Sequence, residues 1–433
     1  SIHSFNQLHL VGQGAFGKVR VVEHKQTKER YALKCISKGK CKERSGYLNV
    51  LREHDILELL VDHPYVPSLR YAFQDPTTLY LVLDLKPGGD LRHHLKKQHP
   101  LGFAEATVKL WVAEISCALH YLHTAHGIIH RDVKPENIFM DAQGHVCLGD
   151  FNAATWIKSG EERKLHGVTG TTSYMAPELL LRQGYSFSVD WWSLGVVMYE
   201  CIYGRRPFRK QDHGGSRERL KTAILRENIV IPDDRSVSVD CIAVIRGLLC
   251  SDPEKRLGCG VDGHERLRRH PFFADIDWKR AEKKALRPVF VPGDCLINGL
   301  SDQSQGAVFL GDDHSDDSVG LAAAGVGSAD SQAELRALER GFTRYSYAEF
   351  AKYRDYVAQH GKITAADRLD VYLAQIYLDG RPLVTVEGED SMENAEIDRD
   401  DDNDDDEVAA VDDADRAAQL ARRKSHFYAS VAA

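Results

Sequence analysis

The feature that most restricts the fold lies close to the start of the chain. Gly12-Gln13-Gly14-Ala15-Phe16-Gly17 is a glycine-rich run. Glycine admits backbone conformations closed to other residues and lets main-chain N–H groups approach an anion such as a phosphate. A dinucleotide-binding βαβ unit needs a helix directly after the third glycine. Here a β-branched stretch follows instead, Val19-Arg20-Val21-Val22. The run therefore joins two strands, and a doubly wound parallel sheet is disfavoured. Taken alone, it also fits a plain hairpin turn, so its meaning depends on the rest of the chain.

Short strand-like alternations recur at 8–11, 19–23 and 30–36, with a hairpin-like pair at 69–73 and 79–83. One helical pattern interrupts them at 47–61, with Val50, Ile56, Leu57 and Leu60 apolar. From residue 90 to about 273 helical patterns dominate, as at 104–123 and 191–203. The turn-type sequence Lys86-Pro87-Gly88-Gly89 joins the two regions. The expected fold class is α+β and bilobal, with a small mainly β lobe at 5–85 and a larger mainly α lobe at 86–273. Residues 274–292 read as a tail, and 293–331, rich in Gly, Ser, Asp and Ala, as a flexible linker. A helix-like patch follows at 332–383. An acidic segment at 384–433 includes nearly continuous Asp and Glu from 398 to 407, which should repel itself and stay disordered.

The net charge of −8 lacks the basic excess expected of a nucleic-acid binder. The nine cysteines stand singly, without metal-ligand spacing, so reduced thiols suit them better than disulfides or zinc. No apolar stretch is long enough to cross a bilayer, and no signal peptide opens the chain. The expected setting is cytoplasmic and monomeric. The sequence begins at Ser1, with the glycine run about a dozen residues on. An N-terminal segment is expected to precede it, which leaves peripheral membrane attachment open.

The chemistry-bearing residues come in an ordered series. Lys34, in Tyr31-Ala32-Leu33-Lys34, sits on a predicted strand where a buried cation needs anionic partners. Phosphates and a helix carboxylate would supply them, and Glu53 is the candidate; a solvated helix face is the bland alternative. His130-Arg131-Asp132-Val133-Lys134-Pro135-Glu136-Asn137 is the strongest motif. Phosphoryl transfer needs positioning and charge neutralisation more than covalent help. Asp132 can accept a hydroxyl proton, Lys134 can neutralise the transferred group, and Asn137 offers a neutral oxygen to a metal ion. Asp150, in Asp150-Phe151-Asn152, offers a hard carboxylate to Mg2+. Asn152 stands where the protein kinases that this segment resembles usually carry glycine, a mild departure, since asparagine tolerates left-handed backbone better than most residues. Glu178 and Arg256 read as a structural ion pair.

This set resembles the eukaryotic protein kinase domain over about residues 5–273, and the Lys-Pro-Glu-Asn form of the loop resembles serine/threonine kinases. Asp277-Trp278 and Arg287-Pro288-Val289-Phe290-Val291-Pro292 are similar to the start of the tail that marks the AGC group. Asp-Phe-Asn resembles the YANK family, as do the stretches 73–92 and 184–192. The resemblance implies ATP and Mg2+ in an interlobe cleft and protein substrates with Ser or Thr acceptors. Gly12, Gly14 and Gly17 would cover the phosphates. Val11, Val19, Ala32 and Phe139 would sandwich the adenine, Leu83 would be the gatekeeper, and the backbone at Asp84 and Lys86 would bond the ring. Asp90 and Glu136 match acidic positions that in basophilic relatives read arginines ahead of the acceptor, with Thr222 at the third such position, so a basic substrate context is one expectation. The usual activation-loop threonine position falls on Gly167, which leaves Thr169 as a nearby phosphosite candidate and constitutive competence as an expectation. Phe342-Thr343-Arg344-Tyr345-Ser346-Tyr347 is similar to an AGC hydrophobic motif, with Ser346 a second phosphosite candidate. An aromatic helix face accounts for that segment equally. From another class, the alternative is a pseudokinase-like nucleotide-binding scaffold.

Overall fold

The computed structural model describes residues 1–13, 17–43, 46–60, 63–157, 164–209, 216–226, 229–232 and 237–293. All of them lie in the first of the two units into which the chain divides, Ser1–Tyr356. The segments read above as linker (from residue 294), helical patch and acidic tail lie outside the described residues, as do Gly14 and Ser346.

Strands β1 (Phe5–Gln13), β2 (Gly17–His24) and β3 (Arg30–Ser37) lead into helices α1 (Lys38–Glu43) and α2 (Tyr47–Leu59). Strands β4 (Leu69–Gln74) and β5 (Thr78–Asp84) complete an antiparallel sheet in the order β1-β2-β3-β5-β4. Side chains alternate between the faces of a strand, and β3 uses both. Tyr31 and Leu33 join Phe5, Val22, Tyr80 and Val82 in a satellite core on one face. Ala32 and Lys34 point the other way and line the cleft. Register sets Val19 opposite Lys34 and Leu83 opposite Ala32, which brings three strands to one wall. Gly17 is dictated by the sheet itself, since a Cβ there would lie 1.8 Å from the Cys35 carbonyl oxygen on β3.

The larger lobe begins with β6 (Gly89–Asp90), α3 (Leu91–Gln98) and α4 (Glu105–His120). The helical pattern at 104–123 suggests one helix to its end. Instead α4 gives way at Tyr121–Ala125 to a wider π-helical turn, which sets His123 Nε2 2.8 Å from Asp190 Oδ2. Strands β7 (Ile128–Ile129), β8 (Ile138–Met140), β9 (Val146–Leu148) and β10 (Thr155–Trp156) form β6-β8-β9 and β10-β7 ribbons that frame the 130–137 segment, the candidate catalytic loop. Helices α5 (Pro177–Leu180), α6 (Ser188–Tyr203), α7 (Arg217–Arg226), α8 (Val239–Leu248), α9 (Gly263–Arg268) and α10 (Trp278–Glu282) follow. Every residue from Val189 to Tyr203 of α6 is buried, so a largely apolar helix with Asp190, Ser193 and Glu200 as its buried polar groups forms the lobe's centre.

Glu178 and Arg256 meet in this core, with Arg256 Nη1 and Nη2 2.6 and 3.0 Å from the two carboxylate oxygens. Arg256 also donates to the Ser188 and Cys250 carbonyls, and its guanidinium lies over Trp192. The tail returns to the lobe. Asp277 caps α10, Tyr65 OH donates to the Ala281 carbonyl, and Phe290 packs edge-on against Phe103 and Trp111. Among the described residues no helix is long and apolar enough to cross a membrane.

Candidate active site

The cleft between sheet and helical lobe encloses about 340 Å³. Val11, Val19, Ala32 and Phe139 line it together with Leu83, Asp84 and Lys86. Gly12 and Gly17 line it too, as do the polar groups Lys34, Glu53, Asn137 and Asp150. An apolar slot ending in a few convergent polar groups suits a flat heterocycle bearing phosphates.

Lys34 is held between two carboxylates, with Nζ 2.6 Å from Glu53 Oε1 and 3.0 Å from Asp150 Oδ1. Glu53 is only 1% exposed, and its Oε2 is enclosed without a hydrogen-bond donor. Burial works against the charge of Lys34, but Asp150 and Glu53 outweigh it and hold the amine above its ordinary pKa. Burial likewise pushes Asp150 up, and Lys34 more than reverses this, leaving the carboxylate below its usual range. For Glu53 burial prevails over Lys34, and its pKa is raised.

The Asp150 segment corrects one expectation. Asp150 itself takes the left-handed conformation, at φ 57°, and Asn152 does not. The asparagine acts through its side chain: Nδ2 donates to Asp150 Oδ1 at 2.9 Å. Two donors, from Lys34 and Asn152, therefore converge on one oxygen of Asp150.

The catalytic loop is hung from Asp190 on α6. Its Oδ2 and Oδ1 accept the backbone N–H groups of His130 and Arg131, each at 2.8 Å. That buried carboxylate was legible only as a helix residue, because nothing in the local sequence shows that it faces the loop. Lys134 Nζ lies 2.8 Å from Asp132 Oδ2, and Asn137 Nδ2 donates to the same oxygen at 3.1 Å. Asp132 Oδ1 accepts from the backbone N–H and the hydroxyl of Thr171, and Lys134 donates to that hydroxyl. Gly170 makes this approach possible, at φ 107°, since a Cβ there would lie 2.5 Å from the Arg131 carbonyl oxygen. With its amide nitrogen turned to Asp132, Asn137 keeps its carbonyl oxygen for a hard cation. Asp150 supplies the matching carboxylate, a donor set that fits Mg2+.

Arg131 lies at φ 66° and donates to the Ala153 carbonyl and the Tyr185 hydroxyl. Tyr185 OH in turn donates to the Gly167 carbonyl at 2.6 Å. The activation segment is thus tied to the loop arginine at Gly167 by neutral partners. Thr169 is half-buried in the same segment.

Asp90 and Glu136 sit differently from each other. Asp90 is buried at the N-terminus of α3, where its Oδ1 accepts the His93 N–H. Burial pushes its carboxyl up to about 7, against the pull of that hydrogen bond. Glu136 lines the cleft and pairs with Arg92 at 2.8 Å. Thr222, expected at a third acidic position, bonds its own helix at the Glu218 carbonyl. The acid that joins Glu136 is Glu200 on α6, linked through Arg92. Only side chains from three distant elements reveal this connection.

The family model described as protein kinase domain matches residues 5–273. The serine/threonine-protein kinase AtPK2/AtPK19 of Arabidopsis thaliana is 40% identical over 301 residues, 69% of this chain and 61% of that protein. Serine/threonine-protein kinase 32B of Homo sapiens is 40% identical over 299 residues, covering 68% of this chain and 69% of its own. Ribosomal protein S6 kinase alpha-1 of Homo sapiens is 40% identical over 291 residues, 66% of this chain and 38% of that one. The chain spans about three fifths of the length of several of these relatives. On the match at 5–273, the chain belongs to the protein kinase family, with relatives among the serine/threonine kinases.

Proposed function

We propose that this chain transfers the γ-phosphoryl group of Mg-ATP to serine and threonine hydroxyls of protein substrates. The observation that carries the reading is the simultaneous assembly of two polar clusters beside one apolar cleft. Lys34 is paired with Glu53 and Asp150, and Asp132 is held by Lys134, Asn137 and Thr171. In kinases the lysine–glutamate pair and the aspartate for the metal must both be in place for transfer.

Each residue then has a task. Asp132 accepts or orients the proton of the acceptor hydroxyl, and the surrounding donors fix the direction of its carboxylate. Lys134 offsets negative charge on the transferred group. Lys34 anchors phosphate oxygens of the nucleotide. Asp150 and Asn137 would hold Mg2+, which, when bound, neutralises charge on the phosphates. The neutral tie from Arg131 through Tyr185 to Gly167 supports competence without a phosphate on the activation segment. Asp-Phe-Asn at 150–152 and the Asp277-Trp278 tail support placement in the YANK branch of the AGC kinases.

Asp132→Asn tests the assignment. Phosphate transfer should fall by at least about a hundredfold, the usual scale of general acid–base help, while nucleotide affinity stays within about threefold because Asp132 meets the nucleotide-binding groups only through Lys134 and Asn137, whose hydrogen bonds an asparagine oxygen can still accept. Full activity in the variant would remove Asp132 from that role.

A further inference from the structure

Resting on that reading, we infer that Arg92 acts as a built-in occupant of the acidic subsite beside the catalytic loop, so that this kinase does not select arginine ahead of its acceptor. Glu136 faces the cleft one residue before Asn137. Its Oε1 accepts from Arg92 Nε at 2.8 Å. Arg92 Nη1 and Nη2 reach the two oxygens of Glu200 at 2.7 and 3.2 Å, and Nη2 also donates to the Tyr174 hydroxyl. Tyr174 OH donates to Glu200 Oε2 at 2.6 Å, and Arg206 Nε stands 4.0 Å from Glu200 Oε1.

Two carboxylates with these spacings would recognise a guanidinium, and one already bridges them. The bridge is enclosed: the Arg92 side chain is 16% exposed and that of Glu200 6%. A bidentate guanidinium–carboxylate pair in such a setting is strong and geometrically exacting. Burial raises the Glu136 carboxyl, and Arg92 more than offsets this, so the acid is ionised and matched. Glu136 Oε2 is the remaining acceptor, enclosed and without a donor. A substrate guanidinium reaching that oxygen would meet a carboxylate already neutralised by Arg92 and would lie against Arg92, a like charge. Asp90 gives no second attachment point, because it is buried and caps α3. Arg92 is therefore a specificity-determining residue acting through Glu136.

The test is a peptide series with one serine or threonine acceptor, in which arginine replaces alanine at each position ahead of it in turn. For the wild-type chain, kcat/KM for every arginine peptide should stay within about threefold of its alanine counterpart, below the scale of one charge-assisted hydrogen bond. Arg92→Ala frees Glu136 and Glu200, and at one position the arginine peptide should gain roughly tenfold or more, chiefly in KM. An Arg92→Ala chain that fails to fold leaves the test standing on Glu136→Gln, which should leave the wild-type arginine-to-alanine ratios unchanged within about threefold. A wild-type preference above roughly tenfold for arginine, lost in Glu136→Gln, would overturn the inference. So would a folded Arg92→Ala chain with an unaltered profile. Failure of the wild-type chain to phosphorylate any peptide would count against the kinase reading itself.

Discussion

Replacing Lys34 by methionine removes the cation that joins β3 to α2 and to Asp150, and the cost follows from the geometry. At 2.6 Å from Glu53 Oε1, two unit charges attract by roughly 6 kcal/mol at an effective dielectric constant of about 20. Desolvation takes back part of this. Removing one partner of a buried pair typically costs about 3–5 kcal/mol, because the other charge is left enclosed. Glu53, at 1% exposure, with Oε2 already lacking a donor, is such a case. At roughly 2–4 °C per kcal/mol for a domain of this size, Lys34→Met should lower the thermal midpoint by about 6–20 °C. Adding Glu53→Gln removes the stranded carboxylate, so the double variant should regain a good part of the loss. Differential scanning fluorimetry of both single variants and the double variant, without nucleotide, measures the coupling. A Lys34→Met shift below about 2 °C, or single shifts that simply add, would refute the argument that this pair is a coupled structural unit.

Asp90 gives a pH signature. Its carboxyl is raised from 3.8 to about 7 by burial, with Glu136 adding to the rise and the His93 N–H, Arg92 and Lys96 opposing it. Between those values the folded chain holds a proton that the unfolded chain has released, so stability from this group is full below about pH 4 and is lost as pH rises through 7. Asp90→Asn keeps a capping oxygen and should match wild type near pH 4 yet exceed it at pH 8, by up to about 4 kcal/mol; equal midpoints at both pH values would contradict the burial argument. Arg256→Met should lower the midpoint by about 6–20 °C by stranding Glu178, whereas Arg256→Met with Glu178→Leu should recover much of it, as read by the same fluorimetry.

Much of this architecture was legible because the chain states it locally. The β-branched stretch after Gly17 announces strands, and the order from Lys34 through Asp132 and Asn137 to Asp150 fixes which groups must meet. Glu53 was identifiable because a cation on a buried strand requires an anion and helical spacing puts one within reach. What stayed hidden depends on contacts between distant elements. Asp190 carries the catalytic loop from the first turn of a buried helix, and Arg92 reaches Glu136 and Glu200 from α3. Neither arrangement leaves a periodicity or a spacing to detect. Asn152 shows a third limit. The residue type suggested a backbone conformation, but the left-handed position belongs to Asp150, and the asparagine contributes its amide instead.

The most direct measurement is transfer of labelled phosphate from Mg-ATP to a mixed serine/threonine peptide library, with Asp150→Ala alongside. Asp150 is the carboxylate held by Lys34 and Asn152 and assigned to the metal, so its loss should remove transfer while the adenine wall of the cleft remains. The wild-type chain should yield phosphoserine and phosphothreonine, and the variant at least about a hundredfold less. Equal transfer by both would contradict the assigned site. No transfer by either, with nucleotide still bound, would contradict the proposed catalysis and favour a nucleotide-binding scaffold.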